Sequence, residues 1–307
     1  MRIEATGIGP PPRAWHRHFA EGSALPILVV VLAIVAIWYV AAVLLNAPFQ
    51  RDLDRRAEQT RMIAGFVAAT LAQNKPTLPA PHQIAIDLYQ RTLTVEPWTR
   101  GSLVYHAWVT LSSTLVGFTL GTLLGALLAV GIVHARTLER SIMPWVIASQ
   151  TIPILAIAPM VIVVLATIGI TGLLPKAFIS AYLSFFPVTV GMVKGLRSPD
   201  PIHLDLMRTY NAGRRQVLAK LRLPASLPFL FASMKVGIAA SLVGAIVAEL
   251  PTGAVAGIGA QLLTGSYYSQ TILIWSALVA GSIVAALLVT IVGAAERIVL
   301  RRMGARA

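Results

Sequence analysis

The chain has 307 residues, of which 56% are hydrophobic and only 12% are charged. Because a soluble domain carries about 25% charged residues, this composition excludes an ordinary soluble protein and favours a polytopic α-helical membrane protein. The net charge of +13 does not indicate nucleic-acid binding, since the cations lie at the ends of apolar runs, where membrane insertion places them. The absence of cysteine excludes disulfides, thiolate catalysis and cysteine-ligated metals.

The N-terminal segment 1–24 is polar, and its arginines favour a cytoplasmic start. We predict a first transmembrane helix over residues 25–46. A cleaved signal peptide is the alternative, but the apolar run exceeds the 7–15 residues typical of a signal core.

Residues 47–104 form the longest polar segment, which we expect outside the membrane on the far face. Met62 to Leu71 is too short to span a bilayer and reads as an interfacial helix. A second surface helix is predicted after Pro81.

A membrane-embedded core is predicted over residues 105–297, with a cytoplasmic tail at 298–307. Its first span, from about Tyr105 to Val133, carries glycines in steps of four: Gly117, Gly121 and Gly125. Such a ridge lets helices approach closely, so packing is the expected role and lining a pathway is the alternative.

The next span, from about Ser141 to Ile168, is interrupted by Pro144, Pro153 and Pro159. Broken helices at membrane depth occur where backbone lines a cavity or is buried in protein. The residues before Pro153 are therefore candidates for a translocation path: Ser149, Gln150 and Thr151. The alternative is that these side chains satisfy carbonyls freed at the kink.

Three further spans are predicted from about Lys176 to Val193, Phe229 to Ala248 and Thr271 to Ala295. Lys235 is placed in the first two turns of its span, from where it can snorkel to the inner surface. Glu249 ends the same span. It is either a solute contact or a structural residue held by backbone donors of the following turn. Residues 250–270 are predicted to form a glycine-rich, uncharged, re-entrant-looking loop.

The loop from residue 195 to 228 is the long basic segment of the second half. Asp200 followed by Pro201 predicts a capped helix start, with an apolar stripe of Leu204, Met207 and Tyr210. Asn211 suits the left-handed conformation that ends a helix. A second short helix should follow and stop at Pro224 and Pro228.

This loop resembles the "EAA" coupling loop of ATP-binding-cassette importer permeases, whose pattern is Glu-Ala-Ala, three residues, Gly, nine residues, Ile-x-Leu-Pro. Asp205 takes the Glu place, Asn211 the Gly place and Leu221 the Ile place, before Leu223-Pro224. Leu206 and Met207 replace the two alanines. Met207 either docks a partner or packs the loop onto its own domain. The family's Arg-x-Ile-Pro-x-x-Ala-x-x-Pro segment is matched at Ile152, Pro153, Ala156 and Pro159, with Gln150 in place of the Arg. The Phe-Phe-Pro that ends at Pro187 also matches, and Gly257-Ile258-Gly259 resembles the family's Gly-Leu-Gly.

The resemblance, closest to the nitrate/sulfonate/taurine group, implies an all-α type I permease fold with about six transmembrane helices in a bacterial inner membrane. It implies two ATPase subunits, a second identical or different permease subunit, and an extracytoplasmic binding protein that contacts loops 169–176 and 250–270. The chain itself would be no enzyme and would need no cofactor or metal. The residues that it assigns to ATPase coupling are Asp205, Leu206, Met207, Arg208, Asn211, Gly213, Leu221, Leu223 and Pro224.

An ion-coupled secondary transporter is the competing function, but its usual mid-span charges and inverted repeats are missing from the sequence. A membrane-embedded enzyme is disfavoured because the histidines are scattered and no H-E-x-x-H motif occurs. Sixteen Lys and Arg residues lie in the predicted inner segments and eight in the outer ones. This bias predicts that both termini are cytoplasmic.

Overall fold

A computed structural model describes residues 24–251 and 254–304. The predicted N-terminal segment 1–24 lies almost entirely outside this part, as do residues 252–253 of the predicted outer loop and 305–307 of the tail. Every regular element in the described ranges is helical and none is a strand, so the all-α prediction is confirmed. The chain divides into two compact units, Met1–Gln83 and Ile84–Ala307.

The first unit is built on α1 (Ala24–Arg56), followed by α2 (Ile63–Leu71) and the start of α3 (Pro81–Tyr89). Helix α1 is longer than the predicted span, because the polar sequence after Pro48 continues the helix. The chain returns along α1, where the side-chain amide of Asn46 donates to Leu78 O at 2.8 Å and accepts from Leu78 N at 3.1 Å. Both surface helices occur where the sequence places them.

The second unit holds the remaining helices. They are α4 (Leu103–His134), α5 (Arg136–Ala148), α6 (Ile154–Thr167), α7 (Leu173–Leu196), α8 (Pro201–Thr209), α9 (Arg214–Val217), α10 (Leu223–Glu249), α11 (Ile258–Tyr267) and α12 (Thr271–Arg302). Five of the described helices are long and apolar enough to cross a membrane: α1, α4, α7, α10 with the turn before it, and α12. The bent pair α5–α6 gives a sixth crossing if it is one broken span.

Helix α7 packs against both α4 and α10 and forms the centre of the second unit. The glycine ridge of α4 faces α7, and a Cβ on Gly125 would lie only 2.7 Å from Phe185 O. Side chains on Gly117 and Gly121 would overlap Ser180 and Ser184. The ridge therefore serves close helix packing, the first of its two expected roles.

The third predicted span is broken more sharply than a proline kink requires. Helices α5 and α6 meet at 103°, because Ile152 and Pro153 adopt extended backbone angles. Gly117 of α4 lies beside Ser180 of α7, and Gly125 lies beside Thr189, so α4 and α7 run in the same direction. The bent pair must therefore return the chain along the bundle, which accounts for the sixth crossing.

One sequence prediction on α10 is wrong. Pro224 and Pro228 do not stop the second loop helix: a π-helical turn, Leu218–Arg222, leads from α9 directly into α10. Pro224 directly follows this π-helical turn, where the regular i→i−4 hydrogen bonds are already interrupted, so its missing N–H does not end the helix. Lys235 consequently lies about three turns into α10, where it forms an ion pair with Glu296 of α12.

The predicted outer loop 250–270 also differs from expectation. Within the described residues 254–270, most of the segment forms α11. Gly257, at a φ of 130°, precedes this helix.

Candidate coupling surface and solute path

The basic loop folds into two short helices, as its sequence predicts. The Asp200 carboxylate accepts a hydrogen bond from Ile202 N at 2.9 Å and caps α8, with Pro201 in the first turn. Asn211 ends the helix with a φ of 49°, the left-handed conformation that asparagine tolerates better than most residues. Gly213 then caps α9, and its N–H donates to the Gln216 side chain at 3.0 Å.

The outward face of α8 carries an apolar stripe with a different register from the predicted one. Leu204 and Met207 are half-buried, which favours packing on the loop's own unit over partner docking as the role of Met207. Ile202, Leu206 and Tyr210 are 74%, 50% and 76% exposed. Because these three lie four residues apart, they share one helix face; Ile202 was missed because the period was counted from Leu204.

The other predicted coupling residues form two groups: some are exposed to solvent, and the others are half-buried against the helix bundle. Asp205, Arg208, Asn211 and Gly213 are exposed, and Asp205 pairs with Arg208 at 2.8 Å. An ion pair this exposed adds little stability.

Leu221, Leu223 and Pro224 are half-buried. Leu223 packs on a cluster that includes Ile132 and Leu196. The Arg222 guanidinium donates to Leu196 O at 3.0 Å. Leu223 and Arg222 therefore fix the C-terminal end of the loop to the helix bundle.

The candidates before Pro153 come together in a single 3₁₀ turn, Ser149–Thr151. Ser149 Oγ donates to Val146 O at 2.7 Å, and Thr151 Oγ1 donates to Ala148 O at 2.8 Å. These two side chains therefore satisfy carbonyls at the helix end, as the alternative interpretation holds. Gln150 is exposed and has no side-chain hydrogen bond within the described part of the chain, so it is the remaining path candidate of the three.

Glu249 lies about 40 Å along α10 from the start of that helix at Leu223 and is fully buried. Its carboxylate accepts from Thr110 Oγ1 at 2.9 Å, from Lys176 Nζ at 3.3 Å and from Gly259 N at 2.9 Å. We call Thr110, Lys176, Glu249, Gly257 and Gly259 the Glu249 cluster. These contacts favour the structural interpretation of Glu249 over solute contact.

Gly257 and Gly259 must be glycines because their backbone lies too close to Glu249 to leave room for a side chain. A Cβ on Gly257 would overlap the Glu249 carboxyl group, and a Cβ on Gly259 would lie 2.7 Å from Glu249 Cβ. Gly257 N donates to His106 Nδ1 at 3.0 Å, and Ile258 N donates to Thr110 Oγ1 at 2.8 Å. Thr110 and His106 were not singled out from the sequence, because they lie well over 100 residues from their partners.

Comparison with known proteins assigns the fold. The profile of the family described as "Binding-protein-dependent transport system inner membrane component" matches residues 121–305, which is more than half of the chain. The chain belongs to this family. Its matched region contains the coupling loop and most of the Glu249 cluster.

Curated relatives agree with this assignment. The permease is 31% identical over 224 residues, 73% of this chain and 80% of the relative, to "Riboflavin transport system permease protein RibX" of Chloroflexus aurantiacus. It is 30% identical over 189 residues, 61% of this chain and 71% of the relative, to "Formylaminopyrimidine transport permease protein ThiX" of Halalkalibacterium halodurans. It is 25% identical over 237 residues, 77% of this chain and 80% of the relative, to "Putative aliphatic sulfonates transport permease protein SsuC" of Bacillus subtilis.

The protein is therefore a multi-pass membrane permease subunit of an ATP-binding-cassette importer that works with a binding protein. The predicted importer function is confirmed, and these similarities give no support to the ion-coupled alternative. Within the described residues, no group of three or more metal-ligating side chains could hold a metal ion.

Proposed function

We propose that this permease works as one of a pair, identical or different, on two cytosolic ATPase subunits, and that a soluble binding protein delivers the solute at the Glu249 end. Both termini then lie in the cytoplasm, as the distribution of Lys and Arg predicts. The partner subunits hydrolyse ATP, and this chain conducts the solute by alternating access.

The observation that carries this proposal is the stripe of Ile202, Leu206 and Tyr210 on α8. A short helix that presents apolar side chains on one face is suited to a groove in a partner protein. Large exposed apolar groups on a tethered polar loop are otherwise costly. The flanking cations, which include Arg208, Arg214 and Arg215, are complementary to an acidic rim around that groove.

The connection between the coupling loop and the helix bundle would transmit a displacement of α8 to the membrane-spanning helices. The π-helical turn joins α9 directly to α10, and Arg222 fastens this junction to the end of α7. Displacement of α8 by the ATPase would therefore move α7 and α10 together. Since α10 ends at Glu249, the same helix connects the ATPase side with the far end of the path.

The names of the relatives, together with the resemblance to the nitrate/sulfonate/taurine group, indicate the class of solute. We propose a small polar or anionic molecule: a sulfonate, nitrate, or a heterocycle such as a pyrimidine. Gln150, which is exposed at the break between α5 and α6, is the proposed contact along the path.

Co-purification of the ATPase with tagged permease variants tests this proposal. Leu206→Asp puts a charge in the centre of the stripe, and Ala219→Asp puts the same charge on an exposed position of the same loop outside the stripe. We expect Leu206→Asp to reduce ATPase recovery at least tenfold, about the effect of losing one central apolar anchor. Ala219→Asp should retain the ATPase. Equal recovery from both variants would exclude the stripe as the docking surface.

A further inference from the structure

A cavity of about 590 Å³ lies at the Glu249 end of the second unit, between α4, α6, α7 and residues 254–256. Its volume falls within the range of about 300–1,000 Å³ that small-molecule sites occupy. Most of its wall is apolar and includes Val109, Ile162, Val163 and Ile170. Such a wall accommodates a ring or a short hydrocarbon chain.

A few polar groups converge on this cavity, and Lys176 is the one charged side chain among the described residues that line it. An ammonium group has three N–H donors. Two reach Glu249 Oε1 at 3.3 Å and Ala256 O at 3.2 Å, which leaves one for a solute. The hydroxyls of Tyr105 and Thr171 line the same cavity, and neither makes a hydrogen bond within the described part of the chain.

The charge of Lys176 is already neutralised by Glu249. An organic anion in this cavity would meet no net positive charge, would lie near the buried Glu249 carboxylate, and would lose its water. An uncharged carbonyl group loses less hydration and can accept the free N–H of Lys176. The electrostatics of the site therefore select against anions, although Lys176 alone would attract them.

We infer that this cavity is a solute-binding site of the permease, selective for uncharged ring heterocycles that carry carbonyl groups. Lys176 donates to a carbonyl oxygen, and the hydroxyls of Tyr105 and Thr171 bind further polar groups of the ring. Glu249 is a positioning residue that sets the charge of the site through Lys176. This assignment rests on the proposed transport function and narrows its solute class.

Binding to the purified permease–ATPase complex in nanodiscs, without any binding protein, tests the inference. Riboflavin and uracil are the uncharged probes and butanesulfonate is the anionic probe, each titrated calorimetrically. We expect at least one uncharged probe to bind at least tenfold more tightly than the sulfonate. Tyr105→Phe should weaken that binding roughly three- to tenfold, the effect of one lost hydrogen bond, while Leu120→Ala, at a residue that does not line this cavity, should leave it unchanged.

A second variant tests the electrostatic step. Glu249→Gln keeps the shape of the side chain and leaves the Lys176 charge unbalanced, so the preference should shift towards butanesulfonate by at least tenfold. Tighter binding of the sulfonate to the unaltered complex, no binding of any probe, or an unchanged preference in Glu249→Gln would each overturn the inference. Recovery of the intact complex in the same preparation would leave the proposed function standing.

Discussion

Replacing Glu249 by alanine is the sharpest perturbation of the second unit. The substitution removes the acceptor for Thr110, Lys176 and Gly259. It leaves the Lys176 ammonium, whose side chain is only 14% exposed, without its ionic partner. Breaking a buried ion pair from one side costs about 3–5 kcal/mol, since the remaining charge stays buried. For a unit of this size, that loss lowers the unfolding temperature by roughly 10 °C.

Thermal unfolding of the purified permease in detergent, followed by tryptophan fluorescence, measures this loss. Glu96→Ala is the matched control, because Glu96 is exposed and its carboxylate has no partner among the described residues; its effect should stay within about 0.5 kcal/mol. Adding Lys176→Met to Glu249→Ala removes the unpaired charge, so the double variant should lose less than the sum of the single variants, by about 1–3 kcal/mol. A loss below about 1 kcal/mol for Glu249→Ala, or strict additivity, would refute the buried-pair account.

Two further substitutions test the packing and the loop. Gly125→Ala should destabilise the protein by about 1–3 kcal/mol, because the added Cβ overpacks against Phe185 O. Gly65→Ala is the control and should not destabilise it, since nothing lies within 4 Å of the added Cβ. Equal unfolding temperatures for the two variants would contradict the close α4–α7 contact. Asn211→Val should loosen the coupling loop by about 1–2 kcal/mol because its φ is positive, and Asn211→Gly should not. Limited proteolysis within the loop distinguishes them, and equal cleavage of both variants would argue against the left-handed helix end.

The helices that the sequence predicts well are those with uniform apolar runs. Spans such as α4 and α12 follow from length and hydropathy alone, because the bilayer sets both. The caps at Asp200 and Asn211 are also local, so two residues suffice to place the ends of α8. Predictions of this kind depend on neighbours along the chain, which the sequence displays directly.

The predictions that failed depend on which face of a helix is exposed or on contacts with residues far away in the sequence. Pro224 signals a stop in most contexts, yet here the helix continues through it from the preceding π-helical turn. The stripe on α8 was assigned to Leu204 and Met207 because their spacing is as helical as that of Ile202 and Leu206. Which face of so short a helix turns outward depends on where the bundle lies.

The Glu249 cluster could be predicted only in part. The sequence shows an acidic residue before a Gly-x-Gly turn, and backbone donors from that turn do bind Glu249. It does not show that Lys176 and Thr110 complete the site, since they lie 73 and 139 residues away. The sharp break at Ile152–Pro153 is similar: three prolines indicate an interruption, but they do not show that Ile152 and Pro153 both take extended backbone angles and so turn the chain by 103°.

Solute uptake into proteoliposomes tests the central claim most directly. The permease is reconstituted with its ATPase, and uptake is measured with and without the binding protein, internal or external ATP, and an imposed ion gradient. The account predicts uptake that requires ATP on the coupling-loop side and the binding protein on the opposite side, with no dependence on the gradient. Uptake by the permease alone that follows an ion gradient would contradict it.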